Sequence, residues 1–337
     1  MIDFRYHLVS IVAVFLALAV GIVLGSTQLR GTAFTALDKA TGALSAKLSA
    51  ANAENSALQQ EVNGYSAFAQ AAEPVLLSHL LDGKRAVLVT EPGAPGGVVS
   101  GITAALKDAG AAVSGQVSIA AKFADTSAST LSMLSELTQQ LDPGMGTSSG
   151  TPQQQAAQVL ASALLPSASR PGSGQGSGNA QAILSGYSAA GFLTVSGQPA
   201  SGASLAVIVT PGSPPAGGTS DPANQAVVAL AQGLAAASQA TVVAGASAAS
   251  GQGSAIAALR ASSAANQVST VDDADTVAGQ IVVAQALEQQ ITGHKPGSYG
   301  TQSGAGAVAP SPLPAAPTAS AFPSAPARPA SASGKKR

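Results

Sequence analysis

The 337-residue chain contains no cysteine, no tryptophan, three histidines and three methionines. Without cysteine there are no disulfides, no thiolate catalysis and no cysteine-based zinc or iron–sulfur centre. That absence does not assign a compartment, because exported proteins also lack cysteine. Charge is scarce as well: Asp, Glu, Lys and Arg make up 9% of the chain, against about 25% in ordinary globular proteins. The formal net charge is −1, and a nucleic-acid binder needs a basic face to neutralise phosphates, so that class is excluded. Aromatic residues amount to 3%, which leaves Val, Leu, Ile and Ala to build any core.

What is present begins with an apolar run. Leu8 to Gly25 holds eighteen residues with no charge and one hydroxyl, Ser10. At about 1.5 Å per helical residue the run reaches roughly 27 Å, close to the hydrocarbon thickness of a bilayer. A secretory signal has a basic leader, a shorter apolar core and a small-x-small cleavage site. Here Asp3 stands beside Arg5, and Val23 to Thr27 offers no Ala-x-Ala. Residues 1–30 therefore read as an uncleaved transmembrane anchor, with a signal peptide and a buried soluble helix as the alternatives. Arg5 precedes the run while Arg30, Lys39 and Lys47 follow it, so the basic residues do not favour an inside N-terminus. The short leading tail is simpler to leave in the cytoplasm, which places the remainder outside.

Residues 31–71 form a second helical segment. With Leu37, Leu44, Ala51, Leu58 and Tyr65 at d, the a positions are Thr41, Leu48, Asn55 and Val62. This register predicts a coiled coil, in which Asn55 at a favours a parallel dimer. The plainer alternative is an amphipathic helix with a polar interruption. A homodimer or higher oligomer through residues 31–71 would also set two anchors side by side in one membrane.

From Pro74 the pattern changes, and residues 72–301 read as one α/β domain. Strands are expected at 85–90, 111–119, 191–195, 204–210, 240–244 and 267–271. Helices are expected at 98–109, 184–190, 225–238, 254–263 and 277–291. This alternation predicts a mostly parallel, Rossmann-like sheet with helices on both faces. Two strand exits resemble each other, Val87–Pro95 and Val207–Pro214, each a strand ending in Thr and a Pro-Gly-x-Pro turn. They read either as equivalent positions at the carboxyl edge or as chance likeness in an Ala/Gly/Pro-rich chain. Residues 143–180, rich in Gly, Ser and Gln, read as a flexible insertion. The Pro/Ala/Ser-rich tail, 302–337, is expected to be disordered. Its basic end, Lys335 to Arg337, reads as solubilising, with a cell-wall or anionic-lipid contact as the sharper alternative.

Few residues offer chemistry. Gly93, Gly96 and Gly97 follow a strand, but neither a G-x-G-x-x-G spacing nor a P-loop Lys-Ser/Thr is present, so they read as a tight turn. Asp272, Asp273 and Asp275 sit where a strand becomes a helix. They read as helix-start residues, with a hard-cation site as the alternative. The histidines are His7, His79 and His294, with no i, i+4 pair, and no G-x-S-x-G elbow occurs. No catalytic set emerges, and an enzyme is not expected.

Motifs at both ends of the sequence carry a family resemblance. Phe4-Arg-Tyr-His-Leu-Val-Ser10 running into Val14–Gly25, together with Ser269-Thr-Val-Asp-Asp273 and Gly293-His-Lys-Pro-Gly-Ser-Tyr-Gly300, resemble the actinobacterial copper transport proteins of the MctB type. The likeness spans about residues 1–300. It implies an envelope protein of mycobacteria and their relatives, tied to copper homeostasis as an efflux or channel component. Copper(I) prefers thiolate and thioether, and copper(II) prefers imidazole, so the weak metal candidates are His79, Met133, Met145 and His294. No resident cofactor is expected, with copper as the transported ion. The competing expectation is a non-catalytic interaction module that presents its α/β domain to an envelope protein or the cell wall.

Overall fold

The computed structural model of the chain describes residues 4–142, 150–165 and 177–312. The chain divides into two compact units, residues 1–65 and 66–337. Most of the first unit is one helix, α1 (Phe4–Leu77), which also supplies the opening residues of the second. The apolar run and the second helical segment lie on this one continuous helix. Gly21, Gly25 and Gly42 lie within the helix, since each weakens a helix by only about 1 kcal/mol relative to alanine and none removes a backbone donor. Pro74 does not end it either: α1 continues to Leu77.

Tyr6–Gly25 forms a 20-residue apolar stretch of α1, about 30 Å long, with Leu8, Ile11, Phe15, Leu18 and Ile22 all exposed. A helix that is apolar all round and unburied fits a membrane anchor. Further along, Leu37, Leu44, Leu48, Leu58 and Val62 are exposed in the single chain.

In the second unit the elements are β1 (Arg85–Thr90), α2 (Gly96–Asp108), β2 (Ala112–Ile119), α3 (Ala128–Leu141), α4 (Pro152–Leu164), α5 (Ser177–Ala189) and β3 (Leu193–Gly197). They continue with β4 (Leu205–Val209), α6 (Pro222–Ala237), β5 (Ala240–Ala244), α7 (Ala255–Arg260), β6 (Ser269–Val271), α8 (Val277–Gly293) and β7 (Ser298–Tyr299). Among the described residues the strands form one sheet, ordered β3-β2-β1-β4-β5-β6-β7. Every neighbouring pair is parallel except β2 with β3. The mixed, mostly parallel sheet agrees with the alternating sequence pattern.

Both faces of the sheet are covered. In β1, Ala86 and Leu88 pack in one apolar cluster with residues of α2 and α8, while Val87 and Val89 pack in a second with residues of α4, α5, α6 and α7. This double burial is why β1, β4 and β5 read as unbroken apolar runs instead of alternating ones.

The expected flexible insertion at 143–180 is corrected in its middle. Pro152–Leu164 is a helix that buries Ala156, Ala157, Leu160, Ala161 and Leu164 among others. Thr151 accepts from Gln154 N while Gln154 Oε1 accepts from Thr151 N, and Pro152 occupies the first turn, a full set of helix-start signals. Its Ala/Gln composition resembles low complexity, yet alanine is the best helix former and packs closely: a Cβ on Gly233 of α6 would lie 2.8 Å from the Ala157 backbone. Residues 143–149 and 166–176 of that insertion, and most of the 302–337 tail, lie outside the described residues.

Candidate functional site

The strand order places the site. From β1 the chain steps outward to β2 on one side and later returns to β4 on the other side of β1. Open α/β sheets bind ligands in the crevice outside the carboxyl ends at such a switch point. The two look-alike exits meet there. β1 pairs with β4 in parallel, and Gly212 N donates to Gly93 O at 2.9 Å. A Cβ on Gly212 would lie 3.0 Å from Pro95 Cγ, so the close approach of the two Pro-Gly turns depends on glycine.

The ladder continues one rung past the strands. Glu91 N donates to Val209 O (3.0 Å), Thr210 N to Ala244 O (2.9 Å), Gly245 N to Val271 O (2.9 Å) and Asp272 N to Tyr299 O (3.2 Å). Glu91, Thr210, Gly245 and Asp272 therefore occupy one row along the carboxyl edge. Each follows by two an inward residue of the α6–α7 face: Val89, Ile208, Val243 or Thr270. At Gly245 this face is crowded, since a Cβ would lie 2.5 Å from Thr210 Oγ1, 2.6 Å from Ser250 Oγ and 2.9 Å from Ile256 Cδ1 of α7.

At Glu91 the face opens. Glu91 is 6% exposed, and its Oε1 has no hydrogen-bond partner. Burial alone pushes its carboxyl up to about 8, so the group is protonated at neutral pH. It lines a cavity of about 300 Å³ with Pro92, Pro211, Ala124, Asn224 and Val227. Glu91 and Pro92 also border an open groove of about 890 Å³ that runs between α2 and β2, with Lys107 and Asp108 in its lining. There Thr90 donates to Ser118, and Gln116 Nε2 donates to both hydroxyls.

Two of the three aspartates take tertiary roles instead of the expected helix capping, and the third is buried without such a partner. Thr276 caps α8 by accepting from Gly279 N. Asp272 pairs with Arg260 at 2.9 Å and accepts from Thr301 N and Gln302 N, tying the segment after β7 to the sheet. Arg260 also donates to Thr270 Oγ1 and to Tyr299 O. Asp275 accepts from Ser247 N and Oγ. Asp273 is buried with an unpartnered Oδ1, and burial, then the Asp272 charge, push its carboxyl up to about 6. These partners were not legible because capping is decided by which side chain turns back on the helix, and the threonine outcompetes the acids here.

The metal candidates are dispersed. His79 (φ 60°) follows α1, and His294 (φ 50°) is the left-handed cap of α8, a conformation in which histidine is tolerated better than most residues. Both lie toward the amino edge, and His79 Nδ1 sits 2.8 Å from Asp82 Oδ2. Met133 lies on α3, where the Lys122 ammonium approaches its Sδ at 3.2 Å and would repel a cation. Met145 lies outside the described residues. Among the described residues no group of three or more His, Cys, Asp or Glu side chains is arranged to hold a metal. Nothing in the sequence marks Glu91, because an acid in the turn after a strand has the same letters whether it is solvated or buried.

Comparison with known proteins adds the remaining finding. The family model described as "Copper transport outer membrane protein, MctB" matches residues 1–310. A relative named copper transporter MctB from Mycobacterium tuberculosis (strain ATCC 25618 / H37Rv) is 29% identical over 314 residues, covering 91% of this chain and 99% of the relative. Its counterpart of the same name from Mycobacterium leprae (strain TN) is 28% identical over 318 residues, with the same coverage.

Proposed function

The chain belongs to the MctB family of copper transport proteins, and from that premise we propose that it is an envelope component that moves copper out of the cell as an oligomer. The observation that carries this reading is the extent of the match, which runs through both the apolar helix and the α/β unit. The relatives' names describe transporters, a non-enzymatic role.

In this reading Tyr6–Gly25 is a single-pass anchor and the α/β domain lies outside the cytoplasm. One helix encloses no pore, so any conduction requires several copies. The exposed row Leu44, Leu48, Leu58 and Val62 supports self-association through residues 31–71, because apolar side chains at heptad spacing gain by pairing. Copper is the cargo, not a resident cofactor. His79, His294 and Met145 are proposed only as transient contacts, since soft or imidazole ligands suit copper better than the carboxylates here, and the Lys122 ammonium disfavours Met133 in that role.

The same exposed row favours a second reading. A dimeric anchor that presents the α/β domain to an envelope protein or the cell wall would use it equally well. Reconstituting the full chain into vesicles and following copper release separates the two. Release faster than from protein-free vesicles supports transport. Identical rates overturn it in favour of the interaction module.

A further inference from the structure

We propose that the cavity at the β1–β4 switch point binds a small organic ammonium compound, whose N–H donates to Glu91 Oε1 and whose apolar body lies against the proline and alanine wall. Three observations converge on this site. Glu91 is more than nine-tenths buried, lines the cavity, and has an oxygen that no protein group satisfies. An unpaired buried acceptor has lost its water without gaining a partner, a cost that a ligand donor would recover. The remaining lining is mostly uncharged and apolar, with Pro92, Pro211, Pro214, Pro215, Ala121 and Val227.

The polar neighbours are already engaged. Asn224 Nδ2 donates to Gly218 O and Gly253 O, and Ala223 N donates to Asp221 Oδ1. The start of α6 therefore has little left for an anionic ligand. Glu91 is the sole titratable group in this lining, so its carboxylate form has no protein counter-charge, and a cationic ligand would supply one. Near neutral pH the carboxyl is protonated, and an ammonium ion that pairs with it must displace that proton to bulk water. Binding and proton release are thus coupled, whereas a neutral donor would leave the proton in place. A copper ion is a poor fit, because one carboxylate in a proline-walled cavity offers a single hard ligand. The site is accordingly independent of the copper reading, and neither stands or falls with the other.

The test is calorimetric titration of the full chain in nanodiscs with cyclohexylammonium at about pH 6.5, below the value at which Glu91 ionises, in two buffers of different ionisation enthalpy. The wild-type protein is expected to bind saturably and to release close to one proton per ligand. Glu91→Gln is expected to weaken binding at least tenfold and to abolish the proton release. Ala124→Leu, which narrows the cavity while keeping the acid, should weaken binding as well. Cyclohexanol, of similar size but uncharged, should bind at least tenfold more weakly than the ammonium. Thermal melts accompany each titration: Glu91→Gln should melt no lower than wild type, so its lost binding cannot be lost folding. Absence of saturable binding, equal affinity for Glu91→Gln, no proton release, or cyclohexanol binding as tightly would each overturn the proposal.

Discussion

Glu91 makes the stability of the α/β unit depend on pH in a direction opposite to that of a paired carboxylate. Its ordinary value is 4.5, and in the folded chain burial raises it to about 8. The folded state therefore holds a proton that the unfolded chain has released. Stability from this group is fully present below about pH 4.5 and is lost as pH rises toward 8, after which the loss levels off. Each pH unit across that window removes about 1.4 kcal/mol, so the whole window corresponds to about 4–5 kcal/mol. Glutamine keeps the shape and the neutral polarity but cannot ionise. Urea unfolding of the full chain in detergent, read by pulse proteolysis at a series of pH values from 5 to 9, should show wild type weakening steadily relative to Glu91→Gln. The two should be close at the acid end and separated by several kcal/mol at the alkaline end. Parallel profiles across the range would refute the assignment of Glu91 as a buried, unpaired acid.

Two further perturbations follow from other parts of the chain. Arg260→Ala strips the counter-charge from fully buried Asp272 and should lower stability by about 3–5 kcal/mol in the same urea assay, with Arg260→Met plus Asp272→Asn recovering part of it. Under the proposed self-association, wild type should sediment in detergent as an oligomer, and replacing Leu44, Leu48 and Leu58 with Gln should yield monomer without changing the urea midpoint of the α/β unit.

The strand and helix alternation was legible because burial on both faces writes near-continuous apolar runs separated by turn residues. Arg85–Thr90 and Ala240–Ala244 are read directly from such runs. The pairing of the two Pro-Gly exits was legible as a likeness, though adjacency of β1 and β4 is a property of topology that one strand cannot encode. Helices α3 and α4 escaped, because Ser, Thr, Gln and Ala blur the apolar stripe that marks a packed helix. Glu91 escaped for a related reason. Its character comes from what surrounds it after folding, above all the proline turns and α6, and a solvated turn glutamate has the same letters. The aspartates show the converse: three acids before a helix suggest a cap, and only the fold reveals that Arg260 and Ser247 claim two of them.

Under the proposed function the anchored chain carries copper outward, and cellular copper content reads this out. A strain lacking the chain should accumulate more copper than its parent under copper challenge and grow less well. Restoring the full chain should return both to parental levels, while residues 66–337 without the apolar helix should not. Unchanged copper content and tolerance on deletion would rule out a role in copper export.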